Sequence, residues 1–492
     1  MLEERLTALE GAQTWSPRLV SKLETSIRTG DDLELFRINP YRYAADRDLE
    51  PTEVLDLFLH AAKVGLFTMD WMIVCASCAN VFNTFRALEK LEPRFVCDLC
   101  SMDNDTDLDD YIQVGFTISA DVREIVYHDP ARLSPEDLYF QYHFSNDVKP
   151  LPTGVTLPQI LEQWTKLLAY LEPGETRSID VVVPRGALSI RDVVNSASAL
   201  YMAVPELGPE ETTLDLVLAR GELRDPDHEL APFALEYPEG TFVYPAAYQI
   251  PHGSVAIHVR NDGTERASVW VVLYEAVPEQ LHLIEFEPVL SGKRLLSTQT
   301  FRRLFRSETV PASETLEIKD LTYLFTDLEG STAMYDAVGD ANAYNLVRSH
   351  FDALGTVVEA SSGAVVKTIG DAVMATFVTA ADGVRAAADM LSRLADFNET
   401  NSTDLILKIG IHRGHSIAVT LNDRIDYFGQ SVNIASRVQQ LAGAGEIVLT
   451  GDVYREHGVA EIASQFEVTE ESGIMKGVEE VIPVYRLTAL AD

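Results

Sequence analysis

Val365-Val-Lys-Thr-Ile-Gly-Asp-Ala-Val-Met-Ala-Thr-Phe377 is a pair of apolar, β-branched runs hinged on Gly370-Asp371. Such runs on either side of a Gly-Asp turn predict two consecutive strands. Upstream, Phe325-Thr-Asp-Leu-Glu-Gly-Ser-Thr332 ends an apolar strand on Asp327, just before a Gly-Ser-Thr helix start. From Leu321 onward strands and helices therefore alternate: a strand to Phe325, a helix near 331–360, strand-turn-strand near 364–377, and a helix near 380–396. That order predicts an α/β domain.

Chemistry enters with the acids. A carboxylate at the end of an apolar strand is costly unless solvated, paired or bound to metal. Two that converge, such as Asp327 and Asp371, can hold two magnesium ions about 3.5–4 Å apart. Taken singly, each is more usually a turn former or helix cap. A third piece is Asp426-Tyr-Phe-Gly-Gln-Ser-Val-Asn-Ile-Ala-Ser-Arg437. Asn433 and Arg437 lie four apart, so on a helix they share a face. An amide and a guanidinium so placed suit a ribose and a phosphoryl group, the planar fork matching phosphate oxygens. A helical surface pair is the plain alternative.

Taken in order, these segments resemble the class III adenylyl cyclase catalytic domain from about Leu321 to Leu487. Lys408-Ile-Gly-Ile-His-Arg-Gly414, Gly445-Glu-Ile-Val-Leu-Thr450 and Lys476-Gly477 are further matching pieces. The resemblance implies a ferredoxin-like βαββαβ fold over 319–492 and conversion of ATP to cyclic AMP and pyrophosphate. It implies that Asp327 and Asp371, with the Leu328 carbonyl, bind two Mg2+ or Mn2+ ions per active site. Lys367 and Asp426 would read the adenine edge, Asn433 would orient the ribose, Arg437 would stabilise the α-phosphate, and Lys476 would neutralise the outer phosphates. Relatives that make cyclic GMP often carry Glu and Cys where this chain has Lys367 and Asp426, so the pair favours ATP. A guanylate cyclase and a catalytically silent nucleotide-binding signalling module are the alternatives. Family active sites straddle a dimer interface, with Asp327 and Asp371 from one subunit and the remaining residues from the other. One domain carrying both sets implies a homodimer with two equivalent sites. Small departures occur at Ser331, where many relatives have Phe, and at Ala372, where Gly or Ser is frequent. His412 and His415 are expected to be structural or exposed.

Ahead of this domain the chain is long enough for further cores: 492 residues, 46% of them hydrophobic. A helical segment is expected over 1–70, where Val54, Leu55, Leu57, Phe58 and Ala61 keep an amphipathic period. A zinc-ribbon-like domain is expected over 71–135, a β-rich, sandwich-like regulatory domain over 136–290, and a linker helix within 291–318. Cys75-Ala-Ser-Cys78 and Cys97-Asp-Leu-Cys100 are separated by eighteen residues. Two CxxC turns complete a tetrahedron, so one structural Zn2+ on Cys75, Cys78, Cys97 and Cys100 is expected. A redox dithiol or four core cysteines are the alternatives. Ser254-Val-Ala-Ile-His-Val and Ala267-Ser-Val-Trp-Val-Val-Leu-Tyr flank Asn261-Asp-Gly, which predicts a hairpin. This front part resembles a region of uncharacterised function that precedes cyclase domains in some bacterial proteins. That resemblance implies no chemistry; a regulatory or dimer-organising role is expected, with a ligand or protein as effector, and a static scaffold is the alternative.

Charge narrows the partners. Thirty-nine Lys plus Arg against 76 Asp plus Glu leaves a net charge of −37. Such a surface repels nucleic-acid phosphates and anionic lipid, which opposes a nucleic-acid-binding ribbon. It repels ATP too, so a nucleotide site here must be locally basic or metal-bound. The start, Met1-Leu-Glu-Glu-Arg, lacks the basic and apolar regions of a secretory signal. His60, Lys63 and Asp70 interrupt the apolar stretch from Leu57 to Val81, so no transmembrane segment and a cytoplasmic location are expected.

Overall fold

The computed structural model describes the chain except residues 77, 89–93, 98–102, 106–107, 110–111, 153, 193, 195–196, 220, 238–239, 275–284, 311–315, 331–338, 402, 474–480 and 491–492. Four helices open it: Leu2–Glu10, Pro17–Thr29, Pro40–Asp46 and Pro51–Lys63. Three begin with proline, whose fixed φ and missing N–H suit a first helical turn. Asn39 adds a side-chain cap on the amides of Tyr41 and Arg42. The amphipathic period is realised: Val54, Leu57, Phe58 and Ala61 are all fully buried. They pack on a three-stranded antiparallel sheet with Phe67–Val74 in the centre, between Val81–Phe85 and Ile112–Ile118. The expected 70/71 boundary thus falls inside a strand, and helices and sheet share one core. Among the described residues no helix is long and apolar enough to cross a membrane.

The β-rich stretch forms one nine-stranded sheet organised around the long Gly240–Asn261 strand. Its first part pairs antiparallel with Leu230–Tyr237 and parallel with Ala197–Pro209. From Gly253 it changes partners, running antiparallel to Thr176–Val183 and parallel to Thr212–Ala219. Gly253 has φ +141°, and a Cβ there would lie 2.5 Å from the Glu210 carbonyl oxygen, so only glycine allows this switch. Leu188, Ile190, Leu214, Leu216, Ile257 and Val269, drawn from both parts, meet in one core. The expected hairpin at Asn261-Asp-Gly does not form. Among the described residues Ala267–Tyr274 pairs with Thr165–Leu171 and Ala187–Asp192, not with the strand preceding the turn. The physical reason is that Asn261 is engaged elsewhere: its amide nitrogen donates to the carbonyls of Leu171 (2.9 Å) and Glu265 (2.8 Å). The turn is pinned as an arch between separate strand pairs.

The C-terminal domain has the expected βαββαβ order. Leu316–Leu328 leads to helix Asp340–Ala360, strands Ala364–Ile369 and Ala372–Phe377, helix Ala380–Asn401 and strand Leu407–Leu421. In the sheet the two hairpin strands come first, then Leu316–Leu328, then Leu407–Leu421, and Ile447–Thr450, Ile482–Ala489 and Phe466–Gly473 extend it. Side chains alternate across the strands. Leu324, Val373, Phe377, Ile409 and Ile411 face the two long helices. Tyr323, Phe325, Met374 and Ala418 face the other way and join the core of the N-terminal helices. Helix Gln430–Leu441 covers part of that second face. It approaches so closely that a Cβ on Gly410 would lie 2.1 Å from the Gln439 amide nitrogen. The 291–318 stretch, expected as a linker helix, contains two short helices, Gly292–Leu296 and Gln299–Leu304. Leu295, Leu296 and Phe301 are buried within the same shared core.

Candidate active site

Asp327 is the penultimate residue of its strand, opposite Lys408 in register. Asp371 stands in the two-residue turn between Ile369 and Ala372, where Gly370 supplies a φ of +64°. The Val373 amide donates to Thr326 Oγ1 at 3.0 Å, which ties the turn to the end of the first strand. The two acids therefore face each other at one end of the sheet. Burial first, and Asp371 second, push the Asp327 carboxyl above the usual carboxylate range; Lys408 opposes this. One oxygen of Asp371, Oδ2, is buried without a hydrogen-bond partner among the described residues. Lys408 itself is paired with Glu329. A buried, unpartnered oxygen beside a second carboxylate is an arrangement a divalent cation fits, since hard cations take oxygen ligands and relieve like-charge repulsion. Leu328 closes the strand, opposite Leu407.

A second cluster joins strands Ala364–Ile369 and Arg424–Phe428. Lys367 Nζ donates to Asp426 Oδ2 at 2.5 Å, and Asp426 Oδ1 accepts from the Tyr427 amide at 2.8 Å. Asp426 is nearly buried while Lys367 is about a third exposed, so the pair opens to solvent on the lysine side. Helix Gln430–Leu441 buries Ser431, Ile434, Ala435 and Val438, which leaves Asn433 exposed and Arg437 half-buried. Among the described residues Arg437 has no salt-bridge partner. His412 is buried 3.0 Å from Thr450 Oγ1, and burial pushes its imidazole down to about 4. His415 is exposed, 3.5 Å from Glu317. Lys476, Ser331 and Cys100 lie outside the described residues.

Three residues in this neighbourhood carried no role in the sequence reading. Lys408 opens the run Lys408-Ile-Gly-Ile-His-Arg-Gly414, but only strand register places it opposite Asp327. Gln299 and Arg302 lie on a short helix before the domain and bond to its strands. Farther away, the sulfurs of Cys75, Cys78 and Cys97 lie within 4.8 Å of one another. The Cys78–Cys97 sulfur separation of 3.5 Å is far longer than a disulfide bond of about 2.05 Å.

Two family models match separate parts of the chain. Residues 2–303 match the model of a family of unknown function (DUF5939), and residues 314–488 match the adenylate and guanylate cyclase catalytic domain. An adenylate cyclase of Anabaena cylindrica is 30% identical over 188 residues, covering 34% of this chain and 37% of its own length. The receptor-type adenylate cyclase GRESAG 4.2 of Trypanosoma brucei brucei is 26% identical over 212 residues, covering 35% of this chain and 36% of its own. An uncharacterized protein of Mycobacterium tuberculosis is 36% identical over 124 residues, 25% of this chain and 31% of its own. The chain thus spans about a third of the length of these relatives. Among solved structures, the adenylyl cyclase CyaB of P. aeruginosa aligns at 21% identity and a TM-score of 0.32, covering 36% of this chain and 97% of its own. The guanylate cyclase domain of RhGC from Catenaria anguillulae, solved with GTP, aligns at 21% identity and 0.32, covering 35% and 98%.

Proposed function

Because the chain belongs to the family of unknown function DUF5939 and its residues 314–488 are an adenylate and guanylate cyclase catalytic domain, we propose that it converts ATP to 3′,5′-cyclic AMP and pyrophosphate. The observation that carries this reading is the presence, in one domain, of two facing carboxylates and a Lys367–Asp426 pair. In the reaction the ribose 3′-oxygen attacks the α-phosphorus, the bond to pyrophosphate breaks, and the hydroxyl proton is lost. Asp327 and Asp371, with the Leu328 carbonyl, would hold two divalent cations, Mg2+ or Mn2+. When bound, these supply charge neutralisation and a more acidic 3′-hydroxyl. The protein's own part is placement. Lys367 donates toward adenine N1 and Asp426 accepts from the 6-amino group, a pattern that guanine, with its carbonyl at position 6, does not match. Asn433 orients the ribose so that the attacking oxygen stays in line. Arg437 meets the charge that builds on the α-phosphate, and Lys476 meets the outer phosphates.

The two clusters are proposed to work across a homodimer, Asp327 and Asp371 serving one nucleotide and Lys367, Asp426, Asn433 and Arg437 serving the other. Asp327→Ala and Arg437→Ala should each be nearly inactive alone. Mixed under subunit exchange they should recover about a quarter of wild-type activity, since half the dimers are mixed and hold one intact site of two. Both variants folded and dimeric but dead in mixtures would sink the shared site. Mass analysis of the product made from ATP and from GTP tests the base assignment, and cyclic GMP alone would overturn it.

In the N-terminal region the three clustered sulfurs support one structural zinc, with Cys100 as the fourth ligand. A tetrahedral site at a Zn–S distance of about 2.3 Å puts sulfurs about 3.8 Å apart, close to the 3.5 Å between Cys78 and Cys97. The region as a whole is proposed to regulate the cyclase domain through the core they share.

A further inference from the structure

One short helix touches both strands that carry the Lys367–Asp426 pair. Gln299 Oε1 accepts from the Val365 amide at 2.8 Å. Pairing slips between Val365 and Lys367, a bulge, and bulges re-aim the side chain that follows. Gln299 therefore holds the backbone where the direction of Lys367 is set. Three residues later on the helix, Arg302 Nη2 donates to the Ile425 carbonyl at 2.6 Å, and its guanidinium lies 5.8 Å from the Tyr427 ring centre. Ile425 and Tyr427 flank Asp426, whose carboxylate also accepts from the Tyr427 amide. Positions three apart on a helix point the same way, so a single face grips both strands.

The helix is itself fixed from behind. Phe301 is buried and meets Trp71 edge-on at 6.1 Å. Thr300 hydrogen-bonds to Asp56 on helix Pro51–Lys63. The path from the N-terminal helices to the base-reading pair is thus a series of direct contacts, two of them to backbone atoms within two residues of the pair.

We propose that helix Gln299–Leu304 is a clamp that sets the separation and aim of Lys367 and Asp426, with Gln299 and Arg302 as positioning residues for base selection. This rests on the reading of that pair as the adenine reader. Movement of the N-terminal region would then alter which nucleotide is held, and how tightly, before it alters the chemical step.

The test uses the full chain, with initial rates on ATP and GTP and equilibrium binding of non-cyclisable ATP and GTP analogues. Arg302→Ala and Gln299→Leu should each raise KM for ATP and shrink the ATP-to-GTP preference about fivefold, the scale of one lost hydrogen bond, with kcat within about twofold. Arg302→Lys and Gln299→Glu keep a donor and an acceptor in place and should restore the preference. The two positions are independent, so misfolding of one variant leaves the other to decide. A preference unmoved in both, or a fall in kcat equal for the two nucleotides at constant KM, overturns the clamp. A wild type that binds ATP over GTP yet forms no cyclic product defeats the cyclase reading alone, and the clamp is then judged on the binding ratio. A wild type that binds neither overturns both.

Discussion

Among the described residues Asp371 keeps one carboxylate oxygen buried with no donor on it, and Asp327 opposite is pushed toward its protonated form. The ion-free site is therefore destabilising, and it remains so because the sheet ends hold the two acids together. Replacing one acid by an amide removes the repulsion while keeping the shape. Asp327→Asn should melt higher than wild type in chelator at neutral pH. Adding Mg2+ or Mn2+ should reverse the order, since the wild type gains about 2.7 kcal/mol at a hundredfold excess over Kd while the variant gains little. Thermal melts with and without cation measure this, and identical cation shifts in both proteins would remove the acids from the metal site.

Helix Gln430–Leu441 depends on a strand that offers it no side chain at Gly410. At Gly410 the backbone of the helix lies where a Cβ would sit, so the helix rests directly on the strand. Gly410→Ala must push the helix outward, and Asn433 and Arg437 with it. Overpacking of this kind costs about 1–3 kcal/mol, and displacement of a group by about 1 Å costs on the order of a hundredfold in rate. The expected result is a modest loss in melting temperature with a disproportionate loss of cyclic nucleotide formation. A variant that loses stability but keeps full activity would show that the helix does not position the reacting groups.

Across the whole molecule, His143 in the N-terminal region and His350 and His412 in the C-terminal domain are all held down to about 4, burial being the first cause in each. Below the ordinary value of about 6.5 the unfolded chain takes up these protons and the folded chain does not. Stability is therefore complete above pH 6.5 and is lost as the pH falls toward 4. Because one core joins both portions, the loss should appear as a falling midpoint of the shared unfolding transition. His350 adds a sharper check: neither ring nitrogen has a hydrogen-bond partner among the described residues. His350→Leu should raise stability by about 1 kcal/mol at neutral pH and by more at pH 5. A His350→Leu chain whose midpoint falls as steeply as the wild type's would contradict this origin.

The acids and the turn of the catalytic domain were legible in the chain itself, because strand ends, a Gly-Asp turn and an i, i+4 helical pair are local patterns. Asp327 and Asp371 meet because strand Leu316–Leu328 pairs with Ala372–Phe377, the strand that leaves the Gly370-Asp371 turn. Asn261-Asp-Gly misled for the complementary reason: the turn residues announce a reversal, but the choice of partner strand is made by groups far away, here the Leu171 carbonyl. Gln299 and Arg302 likewise read as ordinary polar positions on a short helix. What they do depends on two carbonyl and amide groups, 66 and 123 residues distant, that only folding brings beside them. The site residues were written in short-range order, whereas the packing of the front region against their domain arises from burial of one sheet face against another part of the chain.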